Sequence, residues 1–202
     1  MNNFSKSDLL KEAWELFKKH LNLLLGLIGV YFAYYIAQWL ISYLFPQSAI
    51  ASLLSFVFAL LFLAIQLGAY NMILKLVDGK NAVLKDLYTY PNVAMKVVKN
   101  IVAGILVGFA VGAGLILFII PGIYIAVRLM FFTYYIVDKD AGILDSIKMS
   151  WNLTKGGALN LFLLGLIFFV INFVGAILVV GLAVTLPLTF LASALLYRKF
   201  QK

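Results

Sequence analysis

One arginine stands alone in an apolar run. Arg128 lies within Ile123–Val137, where every other residue is uncharged. A guanidinium grips phosphate or carboxylate with two parallel N–H donors, so the chemistry on offer is anion binding. Counted along a continuous helix, Arg128 sits ten residues before Asp138, about 15 Å up and near mid-bilayer. Insertion scales put about 2.5–3.5 kcal/mol on a central arginine, so something must solvate it. Two readings stand. In the first, Arg128 satisfies carbonyls freed by Pro121 or Pro187, or bonds Gln66, Asn71 or a tyrosine. In the second it faces a wet cavity and binds an anion or lipid headgroup, with Gln66, Asn71 and Lys155 as further candidate ligands.

Little else here performs chemistry. His20 is the only histidine and there is no cysteine, which removes disulfides, thiolate catalysis and cysteine-based metal sites. No His/Asp/Glu spacing resembles a metal site and no glycine-rich phosphate loop occurs, so neither an enzyme nor a cofactor is expected. All eight acids fall outside the apolar runs, whereas ion-coupled transport usually needs an acid inside the membrane. Gly104, Gly108 and Gly112 recur every four residues, a stripe that lets a second backbone approach closely. Packing within the chain is the expected use, and homodimerisation the sharper one.

The elements that must position these residues are membrane helices. Hydrophobic residues make up 64% of the 202 and charged ones 12%, too few charges to coat a soluble domain. Mean hydropathy is +1.04. Uncharged runs cover Leu21–Phe45, Ala49–Leu74, Ile101–Ile120 and Ala158–Tyr197, with Ile123–Val137 broken only by Arg128. The last run is too long for one crossing, and Gly181 and Pro187 mark its hairpin. Pro46-Gln47-Ser48 and Pro121-Gly122 supply the other two outer turns. The expected fold is all-α: a single membrane domain over 1–202, with six transmembrane helices in three hairpins. A long polar lead and an over-long apolar run argue against a cleaved signal peptide.

Charge sets the orientation. Of 16 basic residues, 15 lie before the first helix, between the second and third, between the fourth and fifth, or after the sixth, and so do all the acids. The positive-inside rule places that face and both termini in the cytoplasm, with the plasma membrane as the expected location. The net charge of +8 then points to anionic phospholipid as partner, not nucleic acid.

Each hairpin follows a polar segment with helical apolar spacing. Leu10, Trp14, Phe17 and Leu21 share one face, and Leu144, Ile147 and Trp151 another, as suits cytoplasmic amphipathic helices in the headgroup region. Leu10–Lys18 aligns without gaps on Ile147–Lys155, pairing Lys11 with Lys148, Trp14 with Trp151 and Lys18 with Lys155. Val77-Asp78 and Val137-Asp138 also correspond. A threefold internal repeat follows, with units of about 4–80, 81–140 and 141–202. The middle copy is weakest because Pro91 splits it.

The stretch Pro121-Gly122-Ile123-Tyr124-Ile125-Ala126-Val127-Arg128, with Ser150-Trp151-Asn152-Leu153-Thr154-Lys155-Gly156 downstream, resembles a known pattern. It is similar to the membrane domain that precedes the catalytic domain of some bacterial glycerophosphodiester phosphodiesterases, and to stand-alone relatives. The resemblance implies a membrane fold and location but not hydrolysis, since no catalytic domain accompanies it. The functional expectation is a non-enzymatic membrane protein that binds lipid or acts as a scaffold through a basic cytoplasmic face. The alternative is a small permease or channel for a lipid-like or anionic solute, with Arg128 in its path.

Overall fold

The computed structural model describes residues 5–46, 48–178 and 181–201. Gln47 of the expected first outer turn and Lys202 of the basic tail lie outside the described residues. Among the described residues there is no strand. The helices are α1 (Lys6–Lys19), α2 (Leu21–Leu44), α3 (Ala49–Val77), α4 (Val93–Leu117), α5 (Ile119–Leu129), α6 (Phe132–Lys139), α7 (Ile143–Leu153), α8 (Ala158–Ile177) and α9 (Leu182–Gln201), with a 3₁₀ turn at Leu84–Leu87. Six segments are long and apolar enough to cross a membrane: α2, α3, α4, α5 with α6, α8 and α9.

Local chemistry explains the ends. Ser5 and Ser48 accept hydrogen bonds from the Asp8 and Ala51 N–H groups at 3.2 and 3.0 Å and so cap α1 and α3, satisfying donors that a helix start leaves free. Asn92 and Asp140 bound α4 and α6 in the left-handed region, at φ 58° and 50°. The Asn92 side-chain amide donates to Asp140 Oδ2 at 2.9 Å, tying the two ends together.

Three expectations about helix ends need correction. Pro121-Gly122 does not end a helix. The chain turns earlier, at Phe118, and the pair lies in the first turn of α5, where proline's missing N–H costs nothing. Gly181 does lie in the last hairpin, just before α9, but Pro187 is inside α9. The fourth crossing is not one helix: it breaks at Met130-Phe131 between α5 and α6. The continuous helix assumed in counting back from Asp138 to Arg128 is therefore interrupted.

The buried core lies at the charged ends of the helices. In α3 the buried residues run from Leu67 to Leu76, in α9 from Pro187 to Tyr197, and α2 buries only Leu24 and Leu27. Leu9, Ala13 and Phe17 of α1 join this core beside Leu191, Leu195 and Tyr197. Aromatic rings fill its centre, with Tyr134 stacked on Tyr197 at 5.0 Å and edge-on to Tyr70 at 4.8 Å. α1 buries Leu9, Ala13 and Phe17 in this core and leaves Trp14 exposed. In α7 the buried residues are hydroxyls, Ser146 and Ser150, with Thr154 just beyond the helix. Leu144 and Trp151 stay exposed.

Candidate functional site

The break between α5 and α6 is held by that hydroxyl row. Ser150 donates from its hydroxyl to the Arg128 carbonyl at 3.0 Å, the Thr154 hydroxyl shares its one hydrogen between that carbonyl at 3.0 Å and the Ser150 carbonyl at 2.9 Å, and the Phe131 N–H donates to Ser150 Oγ at 3.1 Å. Backbone groups freed by an interrupted helix must find partners when buried, and here distant side chains supply them.

The Arg128 side chain is enclosed beside this clamp, 4% exposed. Nη1 donates to the Tyr124 hydroxyl at 2.8 Å and Nη2 to the Trp151 carbonyl. The guanidinium lies 4.2 Å from the centre of the Trp151 ring, a stacked cation–π arrangement. Tyr124 meets the same indole edge-on at 5.9 Å. Only Nε is buried without a partner. Arg128 thus bonds a tyrosine, as one expectation had it, and a carbonyl from α7. Pro121 and Pro187 supply none of the carbonyls it meets.

The other candidate residues are not gathered round it. Gln66 and Asn71 are half-buried on α3 and give no hydrogen bond to Arg128. Lys155 is exposed beyond the end of α7. Gly104, Gly108 and Gly112 take no part in close packing among the described residues: a methyl added at any of them meets nothing of these within 4 Å. The close backbone approaches fall elsewhere. Gly114 faces Gly122 across the α4–α5 turn, and Gly68 lies against the Leu87 carbonyl, where a Cβ would overlap backbone.

Beside the Arg128 clamp, an open cleft of about 370 Å³ runs between α4, α5 and α7. Ala110, Ile125 and Leu129 border it on one side; Ile147, Lys148, Trp151 and Asn152 border it on the other. Lys148 and Asn152 are exposed and one helical turn apart.

The charged end is a network of ion pairs. Arg198 of α9 forks onto Asp78 at 2.7 and 2.8 Å and onto Asp138 at 2.7 and 2.8 Å, joining the ends of α3, α6 and α9. The Tyr197 hydroxyl also donates to Asp138 at 3.1 Å. Lys75 meets Asp86 at 2.6 Å and the Val83 N–H donates to its other oxygen at 2.9 Å. Burial alone would raise the Asp86 carboxyl, but these bonds and the lysine charge outweigh it and hold the group below the usual carboxylate range. Lys99 does the same for Asp140 through a 2.8 Å bond, helped by Asn92. Lys96 is buried and donates to the Val137 carbonyl at 2.8 Å.

Sequence reasoning missed the residues that matter most here. Ser146, Ser150 and Thr154 were legible as hydroxyls at four-residue spacing. Asp78, Asp138 and Arg198 stand at intervals of sixty residues, with the charge reversed in the last. Among the described residues no group of His, Asp and Glu converges as metal ligands.

An all-helical chain with six helices able to cross a bilayer and ion pairs gathered at the helix ends defines the class, a multi-pass membrane protein. The chain belongs to the family described as Domain of unknown function (DUF7847), whose model matches residues 27–197. Neither the curated proteins nor the solved structures contain a match to it.

Proposed function

We propose that this is a non-enzymatic membrane protein that binds anionic phospholipid through a basic cytoplasmic face. The supporting observation is a surplus of unpaired cations. Six of the eight acids, Glu12, Glu15, Asp78, Asp86, Asp138 and Asp140, are engaged in ion pairs, leaving only Asp8 and Asp145 without one among the described residues. Lys6, Lys11, Lys19, Lys85, Lys148 and Lys155 have no carboxylate within 4 Å among the described residues. Each such lysine near an anionic leaflet contributes about 1 kcal/mol. Lysines left unpaired at the membrane surface find their counter-charge in lipid phosphate.

The proposal includes the threefold repeat with interfacial helices α1 and α7. Asp78, Asp138 and Arg198 end the second helical segment of each hairpin and meet in one cluster, as three related units would place them. Trp14 and Trp151, aligned in the repeat, are both exposed on those helices, where an indole suits the headgroup level. The proposed kinship with the membrane domains of glycerophosphodiester phosphodiesterases gains support from the clamp. Its motif residues Tyr124, Arg128, Ser150, Trp151 and Thr154 bond one another, an architectural duty that leaves hydrolysis out. The permease reading needs an Arg128 that meets solute, and one N–H of each Nη is already given to a partner within the chain.

Native mass spectrometry after reconstitution in mixed phosphatidylglycerol and phosphatidylcholine tests the proposal. Retained lipid should be enriched in phosphatidylglycerol, and the enrichment should fall when the six unpaired lysines become glutamine. Equal retention of both lipids by the wild-type chain would overturn it.

A further inference from the structure

We propose that the cleft between α4, α5 and α7 holds one anionic phospholipid, its phosphate on Lys148 and Asn152 and an acyl chain along Ala110, Ile125 and Leu129. This rests on the lipid-binding reading above and gives it a place.

The cleft follows from the orientation of α7. Because Ser150 and Thr154 turn inward to hold the α5–α6 break, with Ser146 buried on the same side, the opposite face carrying Lys148 and Asn152 turns outward, flanked by Trp151. That face lies beside the apolar flank of α4 and α5. Ala110 is small, which keeps α4 from filling the gap. The result is amphiphilic: hydrocarbon along two helices, with an ammonium and an amide at one edge.

Charge selects the occupant. Lys148 has no carboxylate partner and the Asn152 amide no hydrogen bond among the described residues. Their side chains are neighbours at i and i+4, within a few ångströms. Both offer N–H donors, which phosphate oxygens accept and hydrocarbon cannot. A second copy of this chain, itself at +8, brings the wrong charge to that edge. At about 370 Å³ the cleft is at the small end of ligand sites, room for the glycerol end and part of a chain while the remainder stays in bulk lipid. Arg128 acts as a positioning residue, since its stacking at 4.2 Å fixes the indole wall of the cleft.

Trp151 reports on occupancy directly. The chain has three tryptophans, so Trp14→Phe with Trp39→Phe leaves Trp151 as the sole emitter. The protein is placed in phosphatidylcholine vesicles containing a minority of phosphatidylglycerol, with bromine on the acyl chains of one lipid or the other. Per mole of brominated lipid, phosphatidylglycerol should quench Trp151 about fivefold better, the strength of one lysine against an anionic headgroup. Lys148→Gln with Asn152→Leu should bring the ratio to about one, and Lys148→Arg should keep it. Equal quenching by both lipids overturns the site. If mass spectrometry still shows enrichment of phosphatidylglycerol, only the cleft fails and the wider reading stands. A preference that survives Lys148→Gln also overturns it, as does quenching relieved by inorganic phosphate. Emission that follows the protein-to-lipid ratio instead of the headgroup would put a second copy in the cleft and equally end the proposal.

Discussion

Replacing Ser150 by alanine removes a single oxygen but two hydrogen bonds. The residue is fully buried, and its hydroxyl both donates to the Arg128 carbonyl and accepts from the Phe131 N–H. The carbonyl keeps Thr154 as a donor at 3.0 Å; the N–H keeps no side-chain partner. One bond is worth about 1 kcal/mol net and a buried orphan donor costs about 1–3 kcal/mol more. Ser150→Ala should therefore destabilise by about 2–4 kcal/mol, roughly 30- to 1,000-fold in the unfolding constant. Thr154→Ala leaves Ser150 on the carbonyl and should cost about 1 kcal/mol. In the double variant the Arg128 carbonyl loses both donors, so its loss should exceed the sum of the two single-variant losses by about 1 kcal/mol or more. Equilibrium unfolding by sodium dodecyl sulfate in mixed micelles, followed by circular dichroism, gives all four free energies. A Ser150→Ala effect below about 0.5 kcal/mol, or strict additivity, would refute the view that α7 holds the break by hydrogen bonding.

Four further outcomes are expected. Gly68→Ala sets a methyl into the Leu87 carbonyl and should destabilise by several kcal/mol, whereas Gly108→Ala, facing open space, should be near neutral in the same unfolding assay. Arg198→Gln strips the cation from two facing carboxylates and should cost about 2–4 kcal/mol in the same assay, with Asp78→Asn in that background recovering part of the loss if repulsion is the cause. Asp86 has its folded-state acidity strengthened by Lys75, so its contribution is complete above the unfolded value of about 3.9 and fades as pH falls through the lower folded value. Acid titration of stability should then be shallower in Asp86→Asn than in wild type. In the cysteine-free chain, Ser48→Cys should react with an impermeant thiol reagent on intact cells and Gln201→Cys only after permeabilisation; the reverse pattern would invert the orientation.

What could be read from the chain was its hydrophobic run lengths, and these place all six crossings. The α5–α6 break escaped because Met130-Phe131 contains neither glycine nor proline; its cause lies some twenty residues on, in hydroxyls that bond back. Pro121 was legible as punctuation but not as a start or a stop, since a proline in the first turn of a helix permits what it forbids in the middle. Periodicity identified α1 and α7 as helices without saying which face turns inward. In a chain bordered by lipid, Ser150 inward and Trp151 outward is as stable as the reverse would be in water. The glycine stripe on α4 was visible, yet the close backbone contacts among the described residues use Gly68, the pair Gly114 and Gly122, and the pair Gly175 and Gly181, which follow no four-residue spacing. Arg128 was recognised as exceptional and its tyrosine partner foreseen in kind. The interruption of the helix between it and Asp138 was not foreseen.

The packing of α1 against α9 has a consequence for biosynthesis. Leu9, Ala13 and Phe17 emerge from the ribosome before every other described helix, and the partners that cover them on α9 emerge after. Throughout synthesis the leading helix carries a bare apolar face, and Glu12 lacks the Lys199 that pairs with it at 2.6 Å in the finished protein. A chain ended before α9 keeps that face uncovered and Glu12 unpaired, so the final described helix completes the packing of the first described one.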